Sequence, residues 1–159
     1  MTSPASLYDR LGGQPVLDRL ARRFYELMRE MPEVAEVHAM HLMSIEEVEE
    51  RLRHFLSGFF GGPDQYRARY GEPMMRRRHL PFAIGPRERD AWLSCMQHAL
   101  DDVLGRSELR IEVETQIRAF AEHMRNRESS GDARGGGCGC TPGTPGGRPA
   151  MPPIVSAQH

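Results

Sequence analysis

The sequence predicts an all-α fold, because apolar residues repeat at helical spacing in four long segments and no segment alternates as a β-strand does. The chain has 159 residues, enough for one domain with a sizeable core. Eight of the 16 glycines and five of the 12 prolines lie beyond residue 128. We therefore expect one helical domain over residues 1–128 and a disordered Gly/Pro-rich tail over residues 129–159.

The first long helix is expected over residues 15–30. Pro15 suits its first turn, and Pro32 ends it and opens a short second helix. Its apolar stripe comprises Val16, Leu17, Leu20, Ala21, Phe24 and Met28.

The second long helix is expected over residues 44–60, where Ser44 and Glu47 form a capping box. His54 steps away from its apolar stripe and should be solvated. The long connection that follows has room for one short helix, around residues 74–80. The buried face of the second long helix should comprise Val48, Leu52, Phe55, Leu56 and Phe59.

Two further long helices are expected over residues 86–104 and 107–127. The dipeptide Gly85–Pro86 begins the first of them, and Ser107 gives a weaker N-terminal signal for the second. The predicted architecture is thus four main helices with two or three short ones. The apolar stripes of this pair comprise Trp92, Cys95, Met96, Ala99 and Leu100, then Leu109, Val113, Ile117, Phe120, Ala121 and Met124.

The composition argues against several classes of function. The formal net charge is −1 and all 21 basic residues are arginines, so neither a general attraction to nucleic acid or membrane nor lysine chemistry is expected. No apolar run approaches the roughly 20 residues that cross a bilayer. The N-terminus lacks a signal-peptide pattern and the three cysteines form no even framework, which favours a cytoplasmic location.

His79 follows three arginines and closes a short helical segment before Pro81. An imidazole in this place fits an axial ligand of haem, since amphipathic helices can pack around a flat cofactor. It also fits an ordinary residue at a helix end, and this segment alone leaves both interpretations open. Tyr25 and Trp92 lie on apolar stripes, where core packing alone would explain them.

Two other groups of residues allow more than one interpretation. His38 and His41 are three residues apart, a spacing that suits metal binding on a helix, but no third ligand is evident. In the tail, Cys138 and Cys140 could form a labile thiol pair, join His159 in a soft-metal site, or belong to a structureless extension.

Several motifs in the right order resemble the truncated haemoglobins, specifically their second group. These motifs are LYDRLGG, RFYELM, EERLRHFLSGFFGGP and YGEPMMRRRHLPFAIGPRERDAWLSCM. The similarity is close over residues 7 to about 103 and looser over the last helix. It implies a two-over-two helical sandwich around a b-type haem, in which residues 15–30 pair with 44–60, and 86–104 with 107–127.

The resemblance also assigns roles to individual residues. His79 matches the proximal histidine, the metal ligand that bonds iron through one ring nitrogen while the other donates to a backbone carbonyl. Tyr25, His41 and Trp92 match the catalytic positions beside the gas, and they must supply its hydrogen bonds because Val48 replaces a residue that is polar in many globins. The expected haem contacts are Phe24, Val48, Leu52, Phe55 and Phe82 along the porphyrin, with Arg76 and Arg78 at the propionates.

The function implied by the resemblance is the binding of oxygen, nitric oxide and carbon monoxide at ferrous iron. Hydrogen-bond donors beside the gas slow its release, which suits redox chemistry better than oxygen transport. We expect nitric oxide dioxygenation or peroxide reduction, with an unidentified reductase and a monomeric or homodimeric protein. The alternative is a haem-based gas sensor or ligand-delivery module acting through a partner. Much less expected is a helical interaction domain without a cofactor.

Overall fold

The computed structural model describes residues 3–41 and 43–128, and this part of the chain is all-α, as predicted. The predicted tail, with Cys138 and Cys140, lies outside the described residues. A 3₁₀ turn at Pro32–Val34 follows the first long helix. The α-helices in chain order are α1 (Leu7–Leu11), α2 (Gln14–Glu30), α3 (Ala35–Ala39), α4 (Ile45–Phe59), α5 (Gln65–Tyr70), α6 (Met75–His79), α7 (Pro86–Leu104) and α8 (Glu108–Met124).

The long helices begin where their capping residues predict. The Ser44 hydroxyl accepts a hydrogen bond from the Glu47 amide at 3.2 Å, and the Glu47 carboxylate accepts one from the Ser44 amide at 3.1 Å. This reciprocal pair satisfies backbone donors that the first turn of α4 leaves free. The Ser107 hydroxyl accepts from the Arg110 amide at 3.1 Å and caps α8 in the same way.

The end of α4 is fixed by a close contact with α1. The Tyr8 amide donates to the Phe60 carbonyl at 2.8 Å, and the Tyr8 ring lies directly over Gly62. A Cβ atom at Gly62 would lie 2.5 Å from the Tyr8 ring, so this approach requires glycine. Gly62 therefore allows the segment after α4 to pack closely against α1.

The long helices form two pairs, α2 with α4 and α7 with α8, so the predicted pairing is confirmed. The two pairs are joined by the packing of α2 against α7. The short helix α6 packs against α8. Within the described residues, α4 lies mainly against α2 and α5, and its contact with α8 is made by the Phe55 and Phe59 rings on Phe120. Helices α4 and α6 are therefore supported mainly by different helices, since α6 packs against α8.

Several details of the sequence prediction were wrong. Helices α1 and α5 were not predicted, so the expected number of short helices was too low. His54 was expected in solvent, but it is only 5% exposed because α5 covers it and the Tyr70 hydroxyl lies 3.3 Å from its Nδ1. Phe55 was expected to be buried and is half-buried.

No helix in the described ranges combines the length and the apolar character needed to cross a bilayer.

Candidate functional site

Helix α6 presents the predicted proximal histidine. His79 is its last residue and is 8% exposed. Its Nδ1 lies 2.5 Å from the Met75 carbonyl oxygen one turn earlier. A carbonyl can only accept, so Nδ1 carries the proton and Nε2 keeps a free lone pair. The ring is therefore fixed in the tautomer that can ligate a metal through Nε2.

The surroundings of His79 favour its neutral form. Burial lowers the pKa of His79 below its usual value of 6.5, and the positive charge of Arg78 acts in the same direction. The hydrogen bond to Met75 opposes this effect and does not outweigh it. A neutral imidazole is the form that binds iron, so the site needs no proton release on ligation.

Tyr25 and His41 pack directly against each other. Tyr25 is buried on α2, and its ring packs edge-on against His41 with centroids 5.8 Å apart. Burial, more than any nearby charge, raises the pKa of Tyr25 far above its usual value of 10. The Tyr25 hydroxyl therefore keeps its hydrogen at neutral pH and can donate it to a ligand.

His41 directs one ring nitrogen at backbone carbonyls. Its Nδ1 lies 3.0 Å from the Val37 carbonyl and 3.3 Å from the His38 carbonyl, so Nδ1 holds the proton. Burial lowers the pKa of His41, and its hydrogen bonds to the His38 and Val37 carbonyls oppose this effect without outweighing it. Neutral His41 therefore offers Nε2 as an acceptor.

Trp92 is connected to Tyr25 through Phe24. The Phe24 ring lies 5.3 Å from the Trp92 ring and 5.0 Å from the Tyr25 ring, measured between centroids. Trp92 is half-buried on α7. Behind this cluster the Cys95 thiol donates to the Phe24 carbonyl at 3.3 Å, and burial raises the pKa of Cys95 to about 12. Cys95 is accordingly an inert core residue.

The residues expected along a porphyrin are mostly apolar and buried. Val48 and Leu52 on α4 are 1% and 2% exposed, and Phe82 beyond α6 is 3% exposed. Phe55 is half-buried and its ring contacts Phe120 on α8, with centroids 5.2 Å apart. This aromatic contact joins α4 to α8.

The predicted arginines have backbone partners. One nitrogen of Arg76, Nη1, donates to the carbonyls of His123 and Arg125 at 2.6 and 3.1 Å, near the end of α8. Arg78 donates from Nε to the Pro73 carbonyl at 2.5 Å and from Nη2 to the Glu72 carbonyl. Arg78 thus retains Nη1 for another acceptor, whereas Arg76 is directed toward the end of α8.

A third arginine, Arg51, was not singled out from the sequence and has a buried donor without an acceptor among the described residues. Nη1 of Arg51 on α4 is buried and has no hydrogen-bond partner within the described part of the chain. Its guanidinium carbon lies 4.3 Å above the Tyr70 ring. Burial raises the pKa of Tyr66, and the charges of Arg78 and Arg51 oppose this, so both cations lie near the same tyrosine.

These side chains fit haem. The free Nε2 of His79 suits iron, the apolar surfaces of α4 suit a porphyrin, and the unpartnered nitrogen of Arg51 suits a propionate. By contrast, the described residues contain no group of three His, Cys, Asp or Glu side chains that could hold a bare metal ion. The sequence could not have revealed Arg51, because its signal is a hydrogen bond that is missing in the folded chain.

A helical domain with a buried imidazole whose Nε2 is free to ligate iron is typical of the globins. The sequence profile of the bacterial-like globins matches residues 6–126, and the chain belongs to this family. It is 35% identical over 120 residues to the group 2 truncated hemoglobin YjbI of Bacillus subtilis, covering 76% of this chain and 89% of that protein. The predicted membership of the second group of truncated haemoglobins is confirmed.

Solved structures agree with this assignment. The group II 2-on-2 hemoglobin of Agrobacterium tumefaciens is 40% identical, with a TM-score of 0.74, over 80% of this chain and 100% of that one. The group II truncated hemoglobin of Bacillus anthracis is 30% identical with a TM-score of 0.74, over 82% of this chain and 98% of that one. The two-over-two sandwich predicted from the motifs is therefore the fold of this chain.

Proposed function

We propose that His79 holds a b-type haem, and that Tyr25, His41 and Trp92 form the side of the pocket where a gas binds. Membership of the truncated haemoglobins already implies a haem protein that binds diatomic gases. The observation that carries the finer proposal is the bond from His79 Nδ1 to the Met75 carbonyl, which leaves Nε2 free. Arg51 and Arg78 would hold the propionates, with Arg76 a weaker candidate because Nη1 is engaged near the end of α8.

When bound, haem supplies an iron atom that takes up a gas or peroxide and exchanges electrons with it. The task of the chain's own residues is to orient hydrogen-bond donors and a proton acceptor beside that ligand. Tyr25 provides the first donor because its raised pKa keeps the hydroxyl protonated. The indole N–H of Trp92 provides the second, since this group can only donate.

His41 complements these two donors. Its Nδ1 proton is committed to the Val37 carbonyl, so Nε2 can accept a hydrogen bond from the Tyr25 hydroxyl or from a water molecule. In this role His41 would orient the Tyr25 hydroxyl while no ligand is present. It would also be available to receive a proton during turnover, since its lowered pKa leaves it neutral.

The reaction we propose is redox chemistry. Each donor in a dry pocket contributes about 1–2 kcal/mol to ligand retention, and two donors slow oxygen release too much for efficient transport. Nitric oxide dioxygenation combines nitric oxide, dioxygen and one electron to give nitrate, and it benefits from retained oxygen. Peroxide reduction is the second reaction of this kind, and either needs a reductase to return the electrons.

The decisive test of haem ligation is a set of absorption spectra. We expect the purified wild type to show a Soret band and well-resolved ferrous, ferric and carbon monoxide spectra. His79→Gly should lose the pigment or acquire a different ligand spectrum, and added imidazole should restore the original bands. Retention of unchanged bands by His79→Gly without imidazole would refute the proposed ligand.

A second experiment tests the reaction. The oxygenated protein is mixed with a stoichiometric amount of nitric oxide, and nitrate is measured, then peroxide consumption is followed with an aromatic electron donor. Rapid formation of one nitrate per haem supports dioxygenation. Negligible rates in both assays would remove the redox proposal and favour the sensor or delivery role, which would then be tested by deleting residues 129–159.

A further inference from the structure

We propose that Asn126 is a positioning residue for His79, acting through the backbone of the proximal histidine. This inference rests on the proposed ligation of haem by His79. Asn126 lies just after α8, and its side chain bridges two points of the segment that follows α6. Nothing in the sequence motifs of this segment pointed to Asn126.

Helix α6 needs support from outside itself. It has only five residues, too few to be stable as an isolated helix. It also starts from Met74, a non-glycine residue in the left-handed region with φ 42°, which is an unfavourable way to begin a helix. The position of His79 must therefore be set by contacts with other parts of the domain.

Asn126 supplies such contacts at the end of α6. Its Nδ2 donates to the His79 carbonyl at 2.9 Å, and its Oδ1 accepts from the Ile84 amide at 3.0 Å. The His79 carbonyl also accepts from the Phe82 amide at 3.1 Å, so it has two donors. One half-buried side chain thus closes the loop that turns the chain from α6 toward α7.

The backbone next to Asn126 adds to this connection. The amides of Asn126 and Arg127 both donate to the Ile84 carbonyl, at 2.9 and 3.1 Å. In the first turn of α6, Arg76 donates to the carbonyls of His123 and Arg125. We call Arg76 together with residues 123–127 the proximal latch, because it ties both sides of α6 to the end of α8.

The latch and the Met75 bond fix different parts of the same residue. The Met75 carbonyl orients the His79 ring, whereas Asn126 holds the His79 backbone. Removing the Asn126 donor leaves the ring bond intact but lets the backbone of His79 occupy several positions. The expected result is a heterogeneous bond between Nε2 and iron rather than a lost one, with altered ligand kinetics.

The test uses the full-length, haem-loaded protein and the variants Asn126→Ala and Asn126→Asp. The aspartate keeps an oxygen for the Ile84 amide and removes the donor to His79, but it adds a negative charge, whereas the alanine removes both hydrogen bonds without adding charge. A change common to both variants therefore reports the lost donor. We expect both variants to keep the wild-type Soret band while the iron–histidine stretching band of the ferrous form, measured by resonance Raman, broadens and shifts. Carbon monoxide dissociation should change by at least about twofold.

The matched control is Glu128→Gln, an exposed residue of the same segment. It should match the wild type in the stretching band and in carbon monoxide kinetics. Unchanged bands and kinetics in both Asn126 variants, even with a lowered melting temperature, would show a merely structural role and overturn the inference. If either variant fails to fold, Asn126→Gln, which displaces the same donor and acceptor on a longer side chain, tests the bond by the same two measurements. Failure of haem ligation itself would be recognised separately, by a His79→Gly variant with an unaltered spectrum.

Discussion

Among the described residues, Arg51 is the one whose surroundings point most directly to a bound anion. A buried guanidinium nitrogen without an acceptor costs free energy in the folded protein, and Arg51 Nη1 has none among the described residues. Arg76 and Arg78 on α6, by contrast, donate to backbone carbonyls. A propionate at this point would remove the penalty by forming a charge-assisted hydrogen bond.

The replacement Arg51→Gln should therefore affect haem retention more than the stability of the apoprotein. We expect the free energy of unfolding of the apoprotein to change little, because the buried unpaired charge and its contact with the Tyr70 ring are lost together. Haem loss from the ferric protein should be roughly tenfold faster, since a hydrogen bond to a charged group is lost. Transfer of haem to a scavenging protein measures this rate, and Arg53→Gln on the same helix is the control. Equal rates of haem loss in all three proteins would contradict the assignment.

Tyr25 and His41 should behave as one unit in ligand release. If His41 acts by orienting the Tyr25 hydroxyl, Tyr25→Phe should speed oxygen dissociation by roughly tenfold, and His41→Leu by less. The double variant should then match Tyr25→Phe rather than the product of the two effects. Stopped-flow displacement of oxygen by carbon monoxide measures the rates. Strict additivity would mean that His41 contacts the ligand independently, as the sequence first suggested.

At the scale of helices, α5 changes the environment of α4. Sequence periodicity places His54 away from the apolar stripe of α4, and the structure agrees with that register. The register could not reveal burial by α5, since this short helix, QYRARY, has a polar composition and little helical signal of its own. Tyr66 and Tyr70 nevertheless give α5 an aromatic face, and their rings lie 5.0 Å apart.

The contact between α4 and α5 should make stability depend on pH. Burial lowers the pKa of His54 below 6.5, and the charges of Arg69 and Arg53 act in the same direction. The unfolded chain then binds a proton at a higher pH than the folded one, so the stability that neutral His54 provides is present above 6.5 and lost as the pH falls through the folded pKa.

Denaturant unfolding of the apoprotein between about pH 5 and about pH 8 measures this effect. We expect the wild type to lose more stability on acidification than His54→Gln, which cannot titrate at this position. The difference between the two proteins isolates His54 from His41 and His79, whose pKa values are also lowered. Parallel pH profiles for the two proteins would show that His54 does not contribute.

At the scale of the whole molecule, the features that could be predicted are those that repeat or recur along the sequence, namely apolar stripes and spaced motifs. The stripes on α2, α4, α7 and α8 specified four long helices, and spaced motifs around His79 specified the family. The sequence could not predict contacts between segments that lie far apart in the chain. Asn126 on the His79 carbonyl and the uncompensated Arg51 nitrogen are both of this kind, because each depends on three-dimensional placement.

The packing of the helices predicts which parts of the molecule depend on haem. Helix α2 packs against α4 and α7, and α8 packs against α7, which gives a continuous framework. Helix α4 rests mainly on α2 and α5, and α6 rests on α8. Because the proposed haem lies between α4 and α6, both helices would gain contacts with the cofactor that they do not make with each other.

Removing haem should therefore loosen α4 and α6 selectively. Hydrogen exchange followed by mass spectrometry compares the apoprotein and the haem-loaded protein. We expect amide protection in residues 45–59 and 75–79 to fall by more than about tenfold in the apoprotein, while α2 and α7 lose least. The fall should be partly reproduced by Arg51→Gln in the haem-loaded protein, which weakens the cofactor's attachment to α4. A uniform loss of protection across all four long helices would instead mean that haem stabilises the domain as a single cooperative unit.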